Sequence, residues 1–213
     1  MKKFINKLFS FLGYKLIKLD SYHATSSDYI IRNLFNKDLK LIIFDIGANI
    51  GQSAEKYAFF YKNATIYSFE PLIKEYEILK TKDIKNLKPF NIGFSNKKTK
   101  ENFFVNQSSA TSSLLPLSEN AEKVWQINRL KNIDRLICNF DTLDNFCKEM
   151  NIKNIDFMKI DTQGSEYLVL DGAKELLSKK VIRNIQLEVI LGDTYKGQKT
   201  IGFYLNLLEN YGY

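Results

Sequence analysis

The sequence predicts an α/β fold, doubly wound and Rossmann-like, around a mostly parallel sheet. Three features carry that expectation. Short apolar runs of strand length alternate with segments of helical spacing. The first run, Leu41–Ile46, passes into the glycine loop Asp45-Ile46-Gly47-Ala48-Asn49-Ile50-Gly51, which opens a helix. The second run ends on a carboxylate, Glu70, 25 residues after Asp45.

Residues 27–36 read as a short helix ahead of this pattern. Gln52–Tyr61 is helical, Thr65–Phe69 a strand and Leu72–Thr81 a helix. Lys88–Ile92 is a strand that tolerates Pro89 near its start. The alternation then breaks. Glu101–Asn106 and Ile133–Phe140 look like strands that pair as an inserted β-hairpin. Between them lie the Ser/Thr-rich stretch Ser108–Ser113 and a helix carrying Trp125. Regular order resumes with helix Thr142–Met150, strand Phe157–Ile160, helix Glu166–Ser178, strand Ile182–Ile190 and helix Ile201–Asn210. A basic segment over residues 1–36 and one domain over 37–213 is the simplest division.

Charge narrows the function classes. The net charge of +7 is uneven, because residues 1–20 hold five lysines and one aspartate. The body is close to neutral, which argues against a nucleic-acid-binding face. Residues 2–19 place Phe4, Leu8 and Leu12 at helical spacing among lysines. Two readings stand: a helix packed on its own domain, or a peripheral anchor on the cytoplasmic face of a membrane. No apolar run is long enough for a transmembrane helix. Cys138 and Cys147 lack metal-ligand spacing and read as inert thiols in a reducing compartment. His23 is the only histidine and lies far from any nucleophile signature, which sets a Ser-His-Asp hydrolase aside.

The glycine loop carries the strongest chemical signal. Gly47 permits a tight turn, and Gly51 permits close approach of the following helix, so a ligand can lie against bare backbone. The middle position is Asn49, giving G-x-x-x-G, and this weakens a dinucleotide reading, whose central glycine makes room for a pyrophosphate. S-adenosylmethionine (SAM) has no phosphate; Asp45 would accept from its amino group, and Glu70 would accept from both ribose hydroxyls. Among the later residues, Lys159 and Asp161 alternate on one side of a strand, and Glu188 lies near the end of the next. Either Lys159 and Glu188 form a structural ion pair, or Asp161 and Glu188 form a polar pocket floor facing an acceptor. Ser108–Ser113 is either a flexible loop or a lid. Trp125 is either buried in a core or interface, or a sugar-stacking platform.

Asp45–Gly51 and Phe69-Glu70-Pro71 resemble the SAM-binding motifs of class I methyltransferases. Asn91-Ile92-Gly93-Phe94-Ser95, Thr142-Leu143-Asp144, Phe157–Glu166, Val169–Ala173 and Leu187-Glu188-Val189 are similar to the FkbM branch in particular. Gln163 stands where many members carry Glu. The chain stops at Tyr213, before the antiparallel strand pair that class I methyltransferases usually add, so the expectation is either a fragment or a member with a shortened C-terminus. The resemblance implies SAM as cofactor, held by Asp45, Gly47, Asn49, Gly51, Glu70 and Asn91. It also implies methyl transfer to a hydroxyl of a sugar, glycan or glycolipid, with Asp161, Glu188 and Lys159 as the catalytic group and Asp161 as first choice of base. No metal site is expected. The competing reading is a non-catalytic SAM- or nucleotide-binding module at a membrane surface.

Overall fold

The computed structural model describes residues 27–125 and 130–213. The chain divides into two units at Leu39/Lys40. The described part of the first holds helix α1 (Ser27–Leu34). The amphipathic segment 2–19 lies outside the described residues. No helix among the described residues is long and apolar enough to cross a membrane.

The second unit is built on a five-stranded parallel sheet. Its strands are β1 (Ile42–Ile46), β2 (Thr65–Phe69), β3 (Leu87–Phe90), β7 (Phe157–Ile160) and β8 (Ile185–Leu187), in the order β3-β2-β1-β7-β8. The order reverses beside β1, which puts a crevice at the carboxyl ends of β1 and β7, the place where open α/β sheets take ligands. Helices α2 (Gln52–Phe60) and α3 (Ile73–Lys80) make the first crossovers. One face of the sheet packs Phe44, Ile46, Phe69, Met158 and Ile160 against Phe146, Leu170, Leu177 and Tyr204. The aromatic rings meet mostly edge to face, as Phe69 and Phe146 do at 5.0 Å.

The expected hairpin is part of a separate sheet. Strands β4 (Gly93–Phe94), β5 (Thr99–Asn106) and β6 (Asn132–Asp141) are ordered β4-β6-β5. β5 and β6 run antiparallel, and β4 joins the end of β6 in parallel. Between β5 and β6 lie a 3₁₀ turn, Ser109–Thr111, and the short helix α4 (Ala121–Trp125). α5 (Leu143–Glu149) is capped by Thr142, whose hydroxyl accepts from the Asn145 amide at 3.1 Å.

Two expected elements differ. Glu166–Ser178 is two helices, α6 (Glu166–Asp171) and α7 (Lys174–Ser178). A side chain at Gly172 would run into the carbonyl of Ser95, so the chain passes here only with no Cβ. The Asp144 carboxylate then accepts from the amides of Glu175 and Leu176, both at 3.0 Å, and restarts the helix. The strand expected over Ile182–Ile190 is shorter because its neighbour among the described residues, β7, ends at Ile160, and the ladder closes with the Glu188 amide on the Ile160 carbonyl at 3.0 Å. The chain ends with α8 (Ile201–Asn210).

Candidate functional site

A cavity of about 240 Å³ opens at the carboxyl ends of β1 and β7. Gly47 and Ala48 turn the chain there, their amides donating to the Phe69 carbonyl at 3.1 and 3.0 Å. Gly47 has φ +79, and a Cβ on it would overlap the Asp161 carbonyl oxygen. The β1 and β7 loops therefore touch backbone to backbone. Gly47→Ala is expected to destabilise the domain by about 3 kcal/mol through left-handed strain and overpacking, and a urea melt checks it. An unchanged midpoint would mean that the two loops separate freely.

Asn49 and Glu70 face the same cavity. Glu70 accepts from the Asn49 amide at 2.8 Å and the Leu72 amide at 2.9 Å. Burial pushes its carboxyl up to about 7, even though both amides favour the charged form. Asn49 has φ +49, and its side-chain amide donates to the Ser109 hydroxyl at 3.1 Å. The Ser108–Ser113 stretch thus lies against the cavity, and Ser109, Ala110 and Ser112 line it.

Asp161 lies one residue beyond β7 and lines the cavity with Lys159, Thr162 and Gln163. Glu188 lies one residue beyond β8, exposed at the rim and absent from the lining. The two carboxyls share a hydrogen bond, and the Gln163 side-chain amide donates to both, to Asp161 at 2.9 Å. Desolvation alone would raise Asp161, but the Lys159 ammonium and the hydrogen bonds from Glu188 and Gln163 hold it below the usual carboxylate range. Desolvation, then the bond to Asp161 and its negative charge, push Glu188 up to about 8. The two carboxyls therefore titrate as a unit and share one proton near neutral pH.

Several expected site residues stand elsewhere. Lys159 pairs with Asp161 at 3.0 Å and Asp45 at 3.6 Å, not with Glu188. The register explains this: Asp45 and Lys159 are directly opposed on β1 and β7. Asp45 is wholly buried inside β1 and does not line the cavity, because Ile46 and Gly47 intervene. Asn91 also lies off the cavity; its amide donates to the carbonyls of Glu70 at 2.9 Å and Pro71 at 3.0 Å and fixes that turn. Gly51 caps α2 and faces Leu79 and Lys82 of the neighbouring α3 region, away from the cavity. Trp125 donates to the Thr194 hydroxyl at 2.7 Å and is not part of the lining. Phe94, Phe103 and Phe140 of the second sheet supply an apolar wall that sequence reading did not assign. Alternation marks Phe103, Cys138 and Phe140 as facing one side of their sheet, but alternation does not say what that side faces. Among the described residues no cluster of His, Cys, Asp and Glu is placed to hold a metal.

The model of the Methyltransferase FkbM domain matches residues 45–213. The chain belongs to the FkbM methyltransferase family. The match begins at Asp45 and takes in the glycine loop, Glu70, Asp161 and Glu188, so the family's domain and the cavity coincide. The chain is 25% identical over 176 residues to a 2-O-methyltransferase, NoeI, from Sinorhizobium fredii (strain NBRC 101917 / NGR234). That alignment covers 80% of this chain and 72% of the relative. The crystal structure of a methyltransferase FkbM from Methylobacillus flagellatus KT matches with a TM-score of 0.46 and 15% identity. That match covers 72% of this chain, which spans about a third of the other chain (34%).

Proposed function

We propose that this methyltransferase transfers a methyl group from SAM to a hydroxyl, with a sugar, glycan or glycolipid as acceptor. The observation that carries the reading is the convergence of the bare Gly47–Asn49 backbone, the Glu70 carboxylate and Asp161 on one cavity. The residues present fit SAM. Glu70 suits the two ribose hydroxyls, the Phe94, Phe103 and Phe140 wall suits the base, and the Gly47–Asn49 backbone suits the amino-acid end. When bound there, SAM supplies the electrophilic methyl. The chain's own residues orient the acceptor oxygen and take its proton. Asp161 is ionised and faces the cavity, so it accepts that proton, while Glu188 at the rim connects the pair to solvent. A relative named as a 2-O-methyltransferase supports oxygen as the acceptor atom.

The test is calorimetric binding of S-adenosylhomocysteine and NAD, followed by transfer of label from SAM to a surface-glycan extract. Binding of the first ligand and rejection of the second are expected. Equal affinity for NAD would overturn the cofactor, and label that enters no hydroxyl would overturn the acceptor.

The Glu70 carboxyl gives this reading a pH signature. Ribose hydroxyls donate to the ionised form, so binding favours loss of the proton held up to about 7. Affinity for S-adenosylhomocysteine is expected to weaken about tenfold from pH 8 to pH 6, because only about a tenth of Glu70 is ionised at the lower pH. Calorimetry at pH 7 in two buffers of different ionisation enthalpy should show proton release. A pH-independent affinity would remove Glu70 from the ribose site.

A further inference from the structure

Gln163 connects the loop over the cavity to the acid pair. It is not a glycine, yet its φ is +56, a left-handed backbone that costs about 1–2 kcal/mol. Both ends of the residue are tied. The Ser113 hydroxyl donates to its main-chain carbonyl at 2.8 Å. Its side-chain amide spends one N–H on Asp161 and the other on Glu188. The remaining amide oxygen faces the Tyr195 hydroxyl at 3.1 Å.

Tyr195 has a single hydroxyl proton and two acceptors within reach. The Thr111 carbonyl, in the covering loop, is the nearer at 2.6 Å, and the Gln163 oxygen is the farther. Tyr195 itself is buried, its amide held by the Gln198 side chain at 2.8 Å, so the hydroxyl chooses between partners without the ring moving. With the loop down, the proton goes to Thr111. If Thr111 withdraws, the proton turns to the Gln163 oxygen and polarises that amide, which then donates more strongly to the two carboxylates.

We infer that Tyr195 and Gln163 are positioning residues that tie closure of the Ser108–Ser113 loop to the proton held between Asp161 and Glu188. Closure favours the singly protonated pair, and withdrawal favours the doubly ionised one. By reciprocity, ionising the pair must loosen the loop by the same factor. The charged groups facing the pair are Lys159 from β7, with Asp45 of β1 behind it, and Glu166 from α6. Lys159 pairs with Asp161 at 3.0 Å and with Asp45 at 3.6 Å. Glu166 is held by the Thr162 and Gly164 amides, at 2.8 and 3.1 Å. Glu188 is thus the group at the rim that changes charge near pH 8.

The inference takes from the proposed function only the placing of the acid pair beside the acceptor. Its test uses neither cofactor nor acceptor. Amide hydrogen exchange of residues 109–113 is measured at pH 6.5 and pH 9 and corrected for intrinsic rates. Protection is expected to fall about three- to tenfold at the higher pH, the scale of one hydrogen bond. Tyr195→Phe and Glu188→Gln should each remove that fall while thermal melts stay cooperative. Should Tyr195→Phe fail to fold, Gln163→Leu tests the same link and should also remove it. A flat protection profile in the unaltered chain, or a fall that survives in the folded Tyr195→Phe or Gln163→Leu chain, overturns the coupling. Either result leaves the cofactor reading standing, and loss of the cofactor reading leaves this one measurable.

Discussion

Replacing Asp161 by Asn is expected to lower turnover by about 10²–10⁴-fold and to leave affinity for S-adenosylhomocysteine within a few-fold. Asn keeps the shape and can still meet Gln163 and Lys159, but it cannot take the acceptor's proton. A base acts in the transition state, so its loss appears in turnover and not in cofactor binding. Glu188→Gln should cost less, about tenfold, because Glu188 is exposed at the rim, does not line the cavity, and has its carboxyl pushed up to about 8. The pH profile separates the two. In the unaltered enzyme, turnover should change near pH 8 as Glu188 ionises, and that change should vanish in Glu188→Gln. Turnover should collapse only at acid pH, where Asp161, held low by Lys159, finally protonates. Near-normal turnover of Asp161→Asn at saturating substrates would sink the assignment.

The parts of this site readable from sequence were those fixed by the backbone. Gly47 announces a turn that no other residue fits, and Glu70 follows a strand that ends one residue earlier, so both land on the cavity. Asp161 is placed by the same rule at the end of β7. Partnership across the sheet was not readable, because it depends on register. Spacing suggested that Lys159 would meet Glu188, one strand over and two positions on. The register instead sets Lys159 opposite Asp45. Asn91 carries the sequence signature of a binding residue and proves to be a fastener of the Glu70-Pro71 turn, since its amide reaches main-chain carbonyls first. The break at Gly172 was hidden for a similar reason: it is set by Ser95, 77 positions earlier in the chain.

Register also exposes a polar row that crosses the sheet. Ser68, Asp45, Lys159 and Gln186 are successive partners on β2, β1, β7 and β8, and so share one face. Both carboxylate oxygens of Asp45, the Ser68 hydroxyl and the side-chain amide oxygen of Gln186 have no hydrogen-bond partner among the described residues. Lys159 is therefore the main compensation for a buried carboxylate, and it also holds Asp161 ionised. Lys159→Met is expected to destabilise the domain by about 3–5 kcal/mol at neutral pH, the scale of breaking one side of a buried pair. Burial already raises the Asp45 carboxyl, and Lys159 is the chief influence pulling it back. Without Lys159 the folded-state value climbs further above the unfolded one. The deficit should then be small where Asp45 is protonated in both states, and should grow as pH rises above the ordinary aspartate range. Asp45→Asn in the Lys159→Met background removes the unpaired charge and should recover most of the loss. Urea melts of the two single variants and the double variant at pH 5 and pH 8 measure this cycle. Additive losses would show that Asp45 and Lys159 are stabilised separately, and the row would then be no more than a coincidence of register.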